Sequence, residues 1–301
     1  LTEDNVCITM SGTNALMNLF LTLLDPGRKV LLPEPYFPLY GPDATLVGGS
    51  ATYYPCRFEH EFVPQIEDLE ALVDEDTVAI LYNFPSNPTG GTINAAQRDA
   101  LLEFARKHDL WIISDEVYDR IVFETEHVSF MGTGYDKLMV VNSFSKTFAM
   151  TGWRIGYIVS TNLEAMKQVV KIQYYISACS NDAMQYAVLE AMEKANDYPS
   201  MMATEFQKRC KLIVDRLNAM PGVQCHQPKG SIYVFPKVDV PGMSSEDVAL
   251  ELLKDGVLCS PGSAFGPSGE GHLRFAYTIG QDDIARGMDK VEATLTRLQQ
   301  G

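Results

Sequence analysis

The sequence predicts an α/β protein with a three-layer, mostly parallel β-sheet in a large domain and a smaller C-terminal α+β domain. Two observations support this fold class. Short β-branched runs alternate with amphipathic helical stretches in the first half of the chain, and beyond about residue 162 long helical stretches replace the alternation. Such alternation is typical of a parallel sheet with helices on both faces. We place the two domains at residues 1–197 and 198–301.

The first half contains apolar runs of strand length with helical patterns between several of them. The predicted strands are Lys29 to Leu32, Ala51 to Tyr54, Val78 to Tyr82, Leu110 to Ser114, Leu138 to Asn142 and Ile155 to Val159. The predicted helices are Asn14 to Leu24, Gln65 to Val73 and Ala95 to His108. Because ligands bind at the carboxyl ends of parallel strands, we expect the functional residues to collect there.

The second half is mainly helical, with two strand-like runs. The predicted helices are Leu163 to Ser177, Asp182 to Ala195, Met201 to Met220, Ser245 to Lys254 and Asp282 to Leu298. The predicted strands are Ser231 to Phe235 and Leu273 to Thr278. This mixture predicts the smaller α+β domain.

Composition and charge exclude several classes of protein. The chain of 301 residues has a formal net charge of -15, which disfavours binding to nucleic acid or to an anionic membrane. No stretch is long and apolar enough to span a bilayer. The six cysteines show no CxxC spacing and the five histidines form no HExxH motif, so we expect no metal site. A reducing cytoplasm fits this cysteine usage best.

The chain begins at Leu1, in "LTEDNVCITMSGTNAL", which reads as the approach to a strand and then a helix. It has neither an initiator methionine nor a signal peptide that processing could have removed. We therefore expect a fragment whose N-terminal part is absent.

Short polar motifs follow several predicted strands. "SGT" at residues 11–13 opens a helix and offers backbone N–H groups to an anion, although an ordinary N-cap is the alternative. Asp115 ends a strand in "ISDEVY", where a buried carboxylate needs a cationic or hydrogen-bonding partner. "SNPTG" forms a turn that leaves the role of Asn87 open. Together these motifs predict a polar site at one edge of the sheet.

Cationic side chains occur in two further motifs. "SFSKTFAMTGWRIG" places Lys146 between hydroxyl side chains, with Arg154 eight residues later. "HLRFAY" places Arg274 in a strand-like apolar run, where an arginine usually pairs with a carboxylate of the protein or of a ligand. "EPYFPLY", which contains Phe37, could form plain packing or a wall that stacks on a ring.

One ligand uses all of these groups. Pyridoxal 5'-phosphate needs a lysine for its Schiff base, a carboxylate beside its protonated pyridine nitrogen and donors to its phenolate oxygen. Its phosphate needs an arginine, hydroxyl groups and helix N–H groups. Every one of these residue types is present in the motifs above.

The chain resembles the class I/II aminotransferases of the fold-type I pyridoxal-phosphate enzymes, in the branch whose lysine motif reads SxSKxFxMTGWRxG. The resemblance covers essentially all 301 residues. The order and spacing of the motifs make it specific. They are "SGTNAL", "NPTG", "SDEVY", "SFSKTFAMTGWRIGY", "PGSAFG" and "LRFAY".

The resemblance implies a role for each matching residue. Lys146 resembles the lysine that binds the cofactor covalently and moves the substrate proton, and Asp115 resembles the partner of the pyridine nitrogen. Tyr118 and Asn87 match the donors to the phenolate oxygen. The residues that match the phosphate site are Gly12, Thr13, Ser143 and Arg154. Phe37 aligns with the aromatic residue that stacks on the cofactor ring. Arg274 and Asn87 match the residues that hold the substrate, and Arg274 matches the one that binds its α-carboxylate.

The implied activity is transfer of an amino group from an L-amino acid to a 2-oxo acid, with 2-oxoglutarate as the expected acceptor, in a cytoplasmic homodimer. Some aspartate-specific members carry a lysine where this chain has Thr13, so alanine, aromatic, branched-chain and other donors stay open.

Ser145 could have a packing or a catalytic role, and Tyr233 could pack in the core or face the substrate. Two alternative functions are a pyridoxal-phosphate lyase or synthase on the same fold and a catalytically idle aminotransferase-like binding domain.

Overall fold

The structure is a computed structural model that describes residues 1–300. Its strands are β1 (Val6–Thr9), β2 (Lys29–Glu34), β3 (Ser50–Pro55), β4 (Thr77–Asn83), β5 (Trp111–Asp115), β6 (Leu138–Ser143), β7 (Gly156–Val159), β8 (Val223–Gln224), β9 (Tyr233–Val234), β10 (Lys237–Val238), β11 (Ser260–Pro261) and β12 (Leu273–Ala276). Its α-helices are α1 (Gly12–Leu23), α2 (Tyr40–Leu46), α3 (Ile66–Leu72), α4 (Ala95–Lys107), α5 (Phe144–Thr147), α6 (Leu163–Ser177), α7 (Asp182–Lys194), α8 (Tyr198–Asn218), α9 (Ser245–Lys254) and α10 (Gln281–Gln300).

Seven strands form the main sheet, in the order β1-β7-β6-β5-β4-β2-β3. The five strands from β6 to β3 in this order pair in parallel, whereas β7 runs antiparallel to both β6 and β1. Strands β4 and β6 are buried along nearly their whole length, as expected for strands covered on both faces. The predicted three-layer, mostly parallel sheet is therefore confirmed.

Two apolar cores lie on the two faces of this sheet. One contains residues of α1 and α6, including Leu19, Phe20 and Val169. The other contains residues of α3 and α4, including Leu69 and Phe104. Each helix thus buries its apolar stripe against the sheet, which gives the layered arrangement its stability.

A third core lies among α8, α9, α10 and the short strands of the C-terminal part. It includes Ile213, Leu252 and Val291, and it also takes in Tyr118 and Ile121 from the first part of the chain. The two parts of the chain are therefore packed against each other next to the "SDEVY" motif. The domain boundary that we propose, between residues 197 and 198, lies at the beginning of α8.

Among the differences from the sequence-based expectation are two helices that have a proline in the first turn. Helix α2 was not predicted, because its sequence "YGPDATL" contains Gly41 and Pro42, which both disfavour helix; the proline is tolerated because it lies in the first turn. Helix α8 begins at Tyr198 and not at Met201, with Pro199 in its first turn, where proline is favoured.

Gly156 sets the distance between β7 and the loop that precedes α1. It pairs with Thr9 of β1 and Ser143 of β6. A Cβ atom at this position would lie 2.6 Å from both the Gly12 nitrogen and the Ser11 carbonyl carbon. The backbone of the "SGT" loop can approach the sheet this closely only because residue 156 has no side chain.

We expect Gly156→Ala to lower the free energy of unfolding by about 3 kcal/mol, because backbone atoms would have to move to relieve the clash. Urea denaturation measures this change. The control is Gly152→Ala in the same motif: a Cβ there has no contact within 4 Å in the described chain, so a change of at most about 0.5 kcal/mol is expected. Equal effects of the two substitutions would contradict the packing argument.

Candidate active site

A cavity of about 180 Å³ opens at the carboxyl ends of β4, β5 and β6. The strand ends supply Asn83, Asp115 and Ser143. Asn83 lies opposite Asp115 in the parallel register, and Ser143 lies two residues beyond Val141, the residue of β6 that is opposite Asp115. The cavity is lined by Ser11, Gly12, Thr13, Leu16, Phe37, Tyr40, Asn83, Asn87, Asp115, Val117, Tyr118, Ser143, Ser145, Lys146, Thr151, Arg154 and Tyr233. The lining includes every residue that the sequence assigned to the cofactor, and Arg274 lies beside it, in contact with Asn87 and Tyr233.

The N-terminus of α1 provides a backbone site for an anion. Ser11 is the N-cap, and its hydroxyl accepts a hydrogen bond from the Asn14 N–H at 3.4 Å. The N–H groups of Gly12 and Thr13 belong to the first turn, where an α-helix supplies no acceptor of its own. Ser11 has φ 98 and ψ 166, a conformation that residues other than glycine rarely adopt. The surrounding structure holds this loop in a strained geometry that faces the cavity.

Two serine hydroxyls stand next to this helix end. The Ser143 Oγ accepts a hydrogen bond from the Ser145 N–H at 3.2 Å and lies 3.0 Å from the Ser145 Oγ. It also lies 3.1 Å from the Ile155 carbonyl oxygen, to which it can donate. Ser145, for which the sequence left packing and catalysis equally open, therefore contributes a hydroxyl to the cavity wall.

Arg154 extends the same end of the cavity from the turn after α5. Its backbone lies in the left-handed region, with φ 57, and its Nη1 donates to the Thr151 carbonyl oxygen at 2.8 Å. The guanidinium forms no salt bridge with an acidic side chain of residues 1–300. A cation that is held by a backbone carbonyl, and not by a carboxylate, keeps its charge available for an anionic ligand.

Asp115 is buried at the other side of the cavity, with 4% of its surface exposed. Its Oδ2 accepts a hydrogen bond from the Tyr40 hydroxyl at 2.7 Å, and its Oδ1 accepts one from the Val117 N–H at 3.3 Å. Burial raises the pKa of Asp115 to about 6, although these two hydrogen bonds oppose the rise. The carboxylate would therefore be stabilised by a cationic ligand.

Lys146 lies on the short helix α5 and is partly buried. Its Nζ is 5.8 Å from the centroid of the Tyr118 ring, and within the described chain it forms no ion pair with a carboxylate. The Tyr118 hydroxyl donates to the Tyr233 hydroxyl at 3.4 Å, and burial raises the pKa of Tyr118 well above its ordinary value. The amine and a neutral phenol thus face the same cavity.

Arg274 lies beside the cavity with its guanidinium only partly satisfied. Its Nη1 donates to the Asn87 Oδ1 at 3.0 Å and its Nη2 donates to the Ser260 Oγ at 3.1 Å. Its Nε is buried and has no hydrogen-bond partner in the part of the chain that the structure describes. A half-buried arginine with a free N–H and no acidic partner is suited to binding the carboxylate of a ligand.

Phe37 is the one aromatic residue of the "EPYFPLY" motif that the sequence assigned to the site. It lines the cavity, and its ring lies at an angle of 75° to that of Tyr40, with the centroids 5.6 Å apart. Its stacking on a cofactor ring stays a prediction.

Sequence reasoning left several lining residues unassigned, among them Tyr40 and Asn83, and ranked Tyr233 below its packing alternative. Tyr40 was not assigned, although it follows Phe37 in a motif that the sequence had singled out. Asn83 ends β4, donates to the Asp115 carbonyl oxygen at 3.1 Å and accepts from the Asn87 N–H at 2.9 Å. Tyr233, which the sequence interpreted first as a core residue, lines the cavity. A polar residue that ends a buried strand was the available signal for Asn83.

Comparison with known proteins gives a consistent result. The family profile "Aminotransferase class I and II" matches residues 1–291. The chain belongs to this aminotransferase family. Among curated proteins, an aspartate aminotransferase of Pyrococcus horikoshii is 33% identical over 97% of this chain and 75% of its own length. An aromatic-amino-acid aminotransferase of Thermococcus litoralis is also 33% identical, over 97% of this chain and 76% of its own.

Solved structures agree with this assignment. An alanine aminotransferase of Pyrococcus furiosus, with 31% identity, matches 99% of this chain and 77% of its own with a TM-score of 0.94. The family, the fold-type I architecture and the transaminase class that the sequence predicted are therefore confirmed. No helix within residues 1–300 has the length and apolar character needed to cross a membrane.

The side chains of the cavity fit pyridoxal phosphate, the cofactor of the aminotransferase family. The anion end combines helix N–H groups, two serine hydroxyls and Arg154, which suits a phosphate. Asp115 is the only acidic residue among the described lining residues, and its two hydrogen-bond partners, the Tyr40 hydroxyl and the Val117 N–H, are both uncharged. A protonated pyridine nitrogen would supply a cationic partner.

We expect Asp115→Asn to stabilise the cofactor-free chain while impairing the enzyme. The pKa of Asp115 is raised from 3.8 to about 6, so the stability contributed by its protonated form is present below pH 4 and is lost as the pH rises through 6. At pH 8 the asparagine should therefore raise the free energy of unfolding by about 1–3 kcal/mol, and at pH 4 by much less.

Urea denaturation of the cofactor-free chain at both pH values measures this difference. The turnover number of the cofactor-loaded variant should fall by about 100-fold or more, because a neutral amide cannot keep the cofactor's pyridine nitrogen protonated. A change in the free energy of unfolding that is the same at pH 4 and pH 8 would refute the assignment of a buried, destabilising carboxylate.

Proposed function

We propose that this aminotransferase uses pyridoxal phosphate to move an amino group from an L-amino acid to a 2-oxo acid, with 2-oxoglutarate as the acceptor. We further propose that Lys146 binds the cofactor covalently. One observation carries the proposal: a single cavity contains a lysine without a carboxylate partner, a buried carboxylate and an anion site. Cofactor-binding roles are assigned to Gly12, Thr13, Phe37, Asn87, Asp115, Tyr118, Ser143, Lys146 and Arg154.

Bound pyridoxal phosphate supplies a ring that withdraws electrons and so makes the α-hydrogen of an amino acid acidic. The protein has to move that proton. Lys146 is the only amine among the described lining residues. We therefore assign to it both the removal of the proton from the substrate Cα and the return of that proton later in the reaction.

Two sets of residues would stabilise the charges of the bound cofactor, one at its pyridine nitrogen and one at its phenolate oxygen. The Tyr40 hydroxyl and the Val117 N–H orient the Asp115 carboxylate, and Asp115 in turn would hold a protonated pyridine nitrogen. Tyr118 and Asn87 would donate to the phenolate oxygen, which stabilises its negative charge. These residues keep the ring electron-withdrawing through both halves of the reaction.

The substrate would be held through its α-carboxylate. The Nε–H of Arg274 has no partner in the described chain, and Nη1 and Nη2 each donate to a neutral oxygen atom, of Asn87 and of Ser260. A carboxylate can replace these neutral acceptors as a stronger, bidentate partner. Fixing the carboxylate limits the rotation of the substrate, so that its Cα–H bond can be presented to Lys146.

The site leaves the amino donor open. Relatives with similar identity are named for aspartate, aromatic amino acids and alanine. Thr13 provides a hydroxyl where some aspartate-specific members have a lysine. The proposal therefore names the α-amino acid as the substrate class and no single side chain.

We propose that the enzyme is a homodimer, as is usual in this family. Helices α6 and α7 expose large apolar side chains, which we call the α6–α7 surface: Val170, Tyr174, Tyr175, Ile176, Tyr186, Leu189 and Met192. Tyr175 and Tyr186 expose 75% and 73% of their surfaces. An exposed apolar surface of this extent is typical of a protein interface.

Lys146→Ala should abolish covalent attachment of the cofactor, because no other amine of the described lining residues can replace it. Borohydride reduction followed by peptide mass spectrometry should find the cofactor on Lys146 in the wild-type chain and on no residue of the variant. Lys171→Ala, on an exposed face of α6, is the control and should retain full labelling. Labelling of the Lys146→Ala variant at wild-type yield would overturn the assignment.

The products distinguish transamination from the alternative on the same fold. Formation of a 2-oxo acid that depends on added 2-oxoglutarate supports the proposed function. Release of pyruvate or a thiol without an acceptor indicates a lyase. If neither product forms while the cofactor remains bound, the chain acts as a binding domain.

We expect Leu189→Glu to weaken the dimer by at least about tenfold in dissociation constant, because the substitution places a charge in the apolar α6–α7 surface. Sedimentation velocity over a range of protein concentrations measures the effect. Leu250→Glu is a matched control, since both leucines are 50% exposed and Leu250 lies on α9. The assignment of the interface fails if both variants remain dimeric or both dissociate equally.

A further inference from the structure

The guanidinium of Arg274 packs against two aromatic rings. Its central carbon lies 4.4 Å from the centroid of the Tyr233 ring and 4.7 Å from that of Phe265. Aromatic faces attract cations, and they also restrict the rotation of a long side chain. In the described chain no acidic side chain pairs with Arg274. The two rings therefore hold its guanidinium in position, as a carboxylate usually does.

The hydroxyl of Tyr233 reaches a second functional group. It lies 3.4 Å from the Tyr118 hydroxyl, and the two rings meet at 76° with centroids 6.1 Å apart. Tyr233 lines the cavity, whereas Phe265 is fully buried. Tyr233 is thus in contact with the group proposed to bind the substrate and with a group proposed to bind the cofactor.

We propose that Tyr233 is a positioning residue with two separable functions: its ring holds Arg274 in place for the substrate carboxylate, and its hydroxyl supports Tyr118 as a hydrogen-bond donor. This inference rests on the proposed function. It extends that function to one side chain that contacts both a substrate-binding residue and a cofactor-binding residue. When Tyr118 donates to a ligand, the Tyr233 hydroxyl can donate to the Tyr118 oxygen, and such a chain of hydrogen bonds strengthens each donor.

Three substitutions separate the two functions. Tyr233→Phe removes the hydroxyl and keeps the ring, whereas Tyr233→Leu and Tyr233→Met remove both. Arg274→Ala and Tyr118→Phe are the reference variants for the two partners. Tyr198→Phe and Tyr198→Leu are the matched controls, since Tyr198 is 42% exposed at the beginning of α8 and does not line the described cavity.

The first measurement tests the ring without the cofactor. Maleate and 3-phenylpropionate are carboxylate probes without an amino group, and ligand-observed NMR gives their dissociation constants for the cofactor-free chain. Tyr233→Leu and Tyr233→Met should weaken binding by about tenfold, and Tyr233→Phe should stay within about twofold of the wild-type chain. Rescue by phenylalanine is the signature of a ring contact.

The second measurement tests the hydroxyl with the cofactor bound. The visible absorption of the loaded enzyme is titrated with pH. Tyr233→Phe should move the midpoint of this titration upward by about half a pH unit, in the same direction as Tyr118→Phe and by less, because a weaker donor leaves the phenolate oxygen more basic. The Tyr198 variants should leave the midpoint where it is.

Each outcome decides one part. If the aliphatic variants bind the probes like the wild-type chain, or if the wild-type chain binds neither probe, the ring function is overturned. If the midpoint of Tyr233→Phe equals that of the wild-type enzyme, the hydroxyl function is overturned. Failure of the proposed function appears separately, as absence of the cofactor from Lys146 after borohydride reduction, and the probe measurement still decides the function of the ring.

Discussion

The buried carboxylate of Asp115 is the group on which the arrangement of the site depends. Burial raises its pKa to about 6, because the ionised carboxylate is disfavoured in this buried position. Its position is fixed from two sides, by the Tyr40 hydroxyl and by the end of β5. From the same residue a chain of hydrogen bonds runs outward: the Asp115 carbonyl accepts from Asn83, and Asn83 accepts from the N–H of Asn87.

This chain continues across the cavity to Arg274, because the Asn87 side chain accepts from its Nη1. A displacement of β4 relative to β5 would therefore move the arginine as well as the carboxylate. The parallel register, which places Asn83 opposite Asp115, gives this connection its rigidity. The distance between the proposed cofactor and substrate groups is thus set by the sheet and not by a loop alone.

Much of this fold follows from local pattern. The strands that form the sheet are buried on both faces, so their apolar runs are continuous and stand out, as in β4 and β6. Helices α6 and α9 begin and end where the sequence placed them, since Asn162 and Ser244 are good N-caps. The sequence could not predict α2, because contacts with α1 and the neighbouring strands stabilise a stretch of poor helix propensity.

The site was predictable to the extent that its residues lie at the ends of predicted strands or in recognised motifs. Asp115 satisfied both conditions, whereas Lys146 and Arg154 were recognised through their shared motif alone. Tyr40 lies in the "EPYFPLY" motif, but its role was missed because it depends on a contact between residues 75 positions apart, which no local pattern encodes. The importance of Gly156 was hidden for the same reason, since only the pairing of β7 with β1 shows which backbone atoms it allows to approach.

The distribution of charge explains how an acidic protein can bind anionic ligands. With a net charge of -15, the chain has carboxylates available for most of its cations, and exposed pairs such as Lys229 with Glu61 use them. Lys146, Arg154 and Arg274 form no such pair within residues 1–300, and instead contact ring faces, backbone carbonyls or neutral side chains. These weak partners keep the cations in position without neutralising them. The cavity and its wall therefore bring together three cations that can attract an anion, and the ligand's charge can replace contacts that cost little to give up.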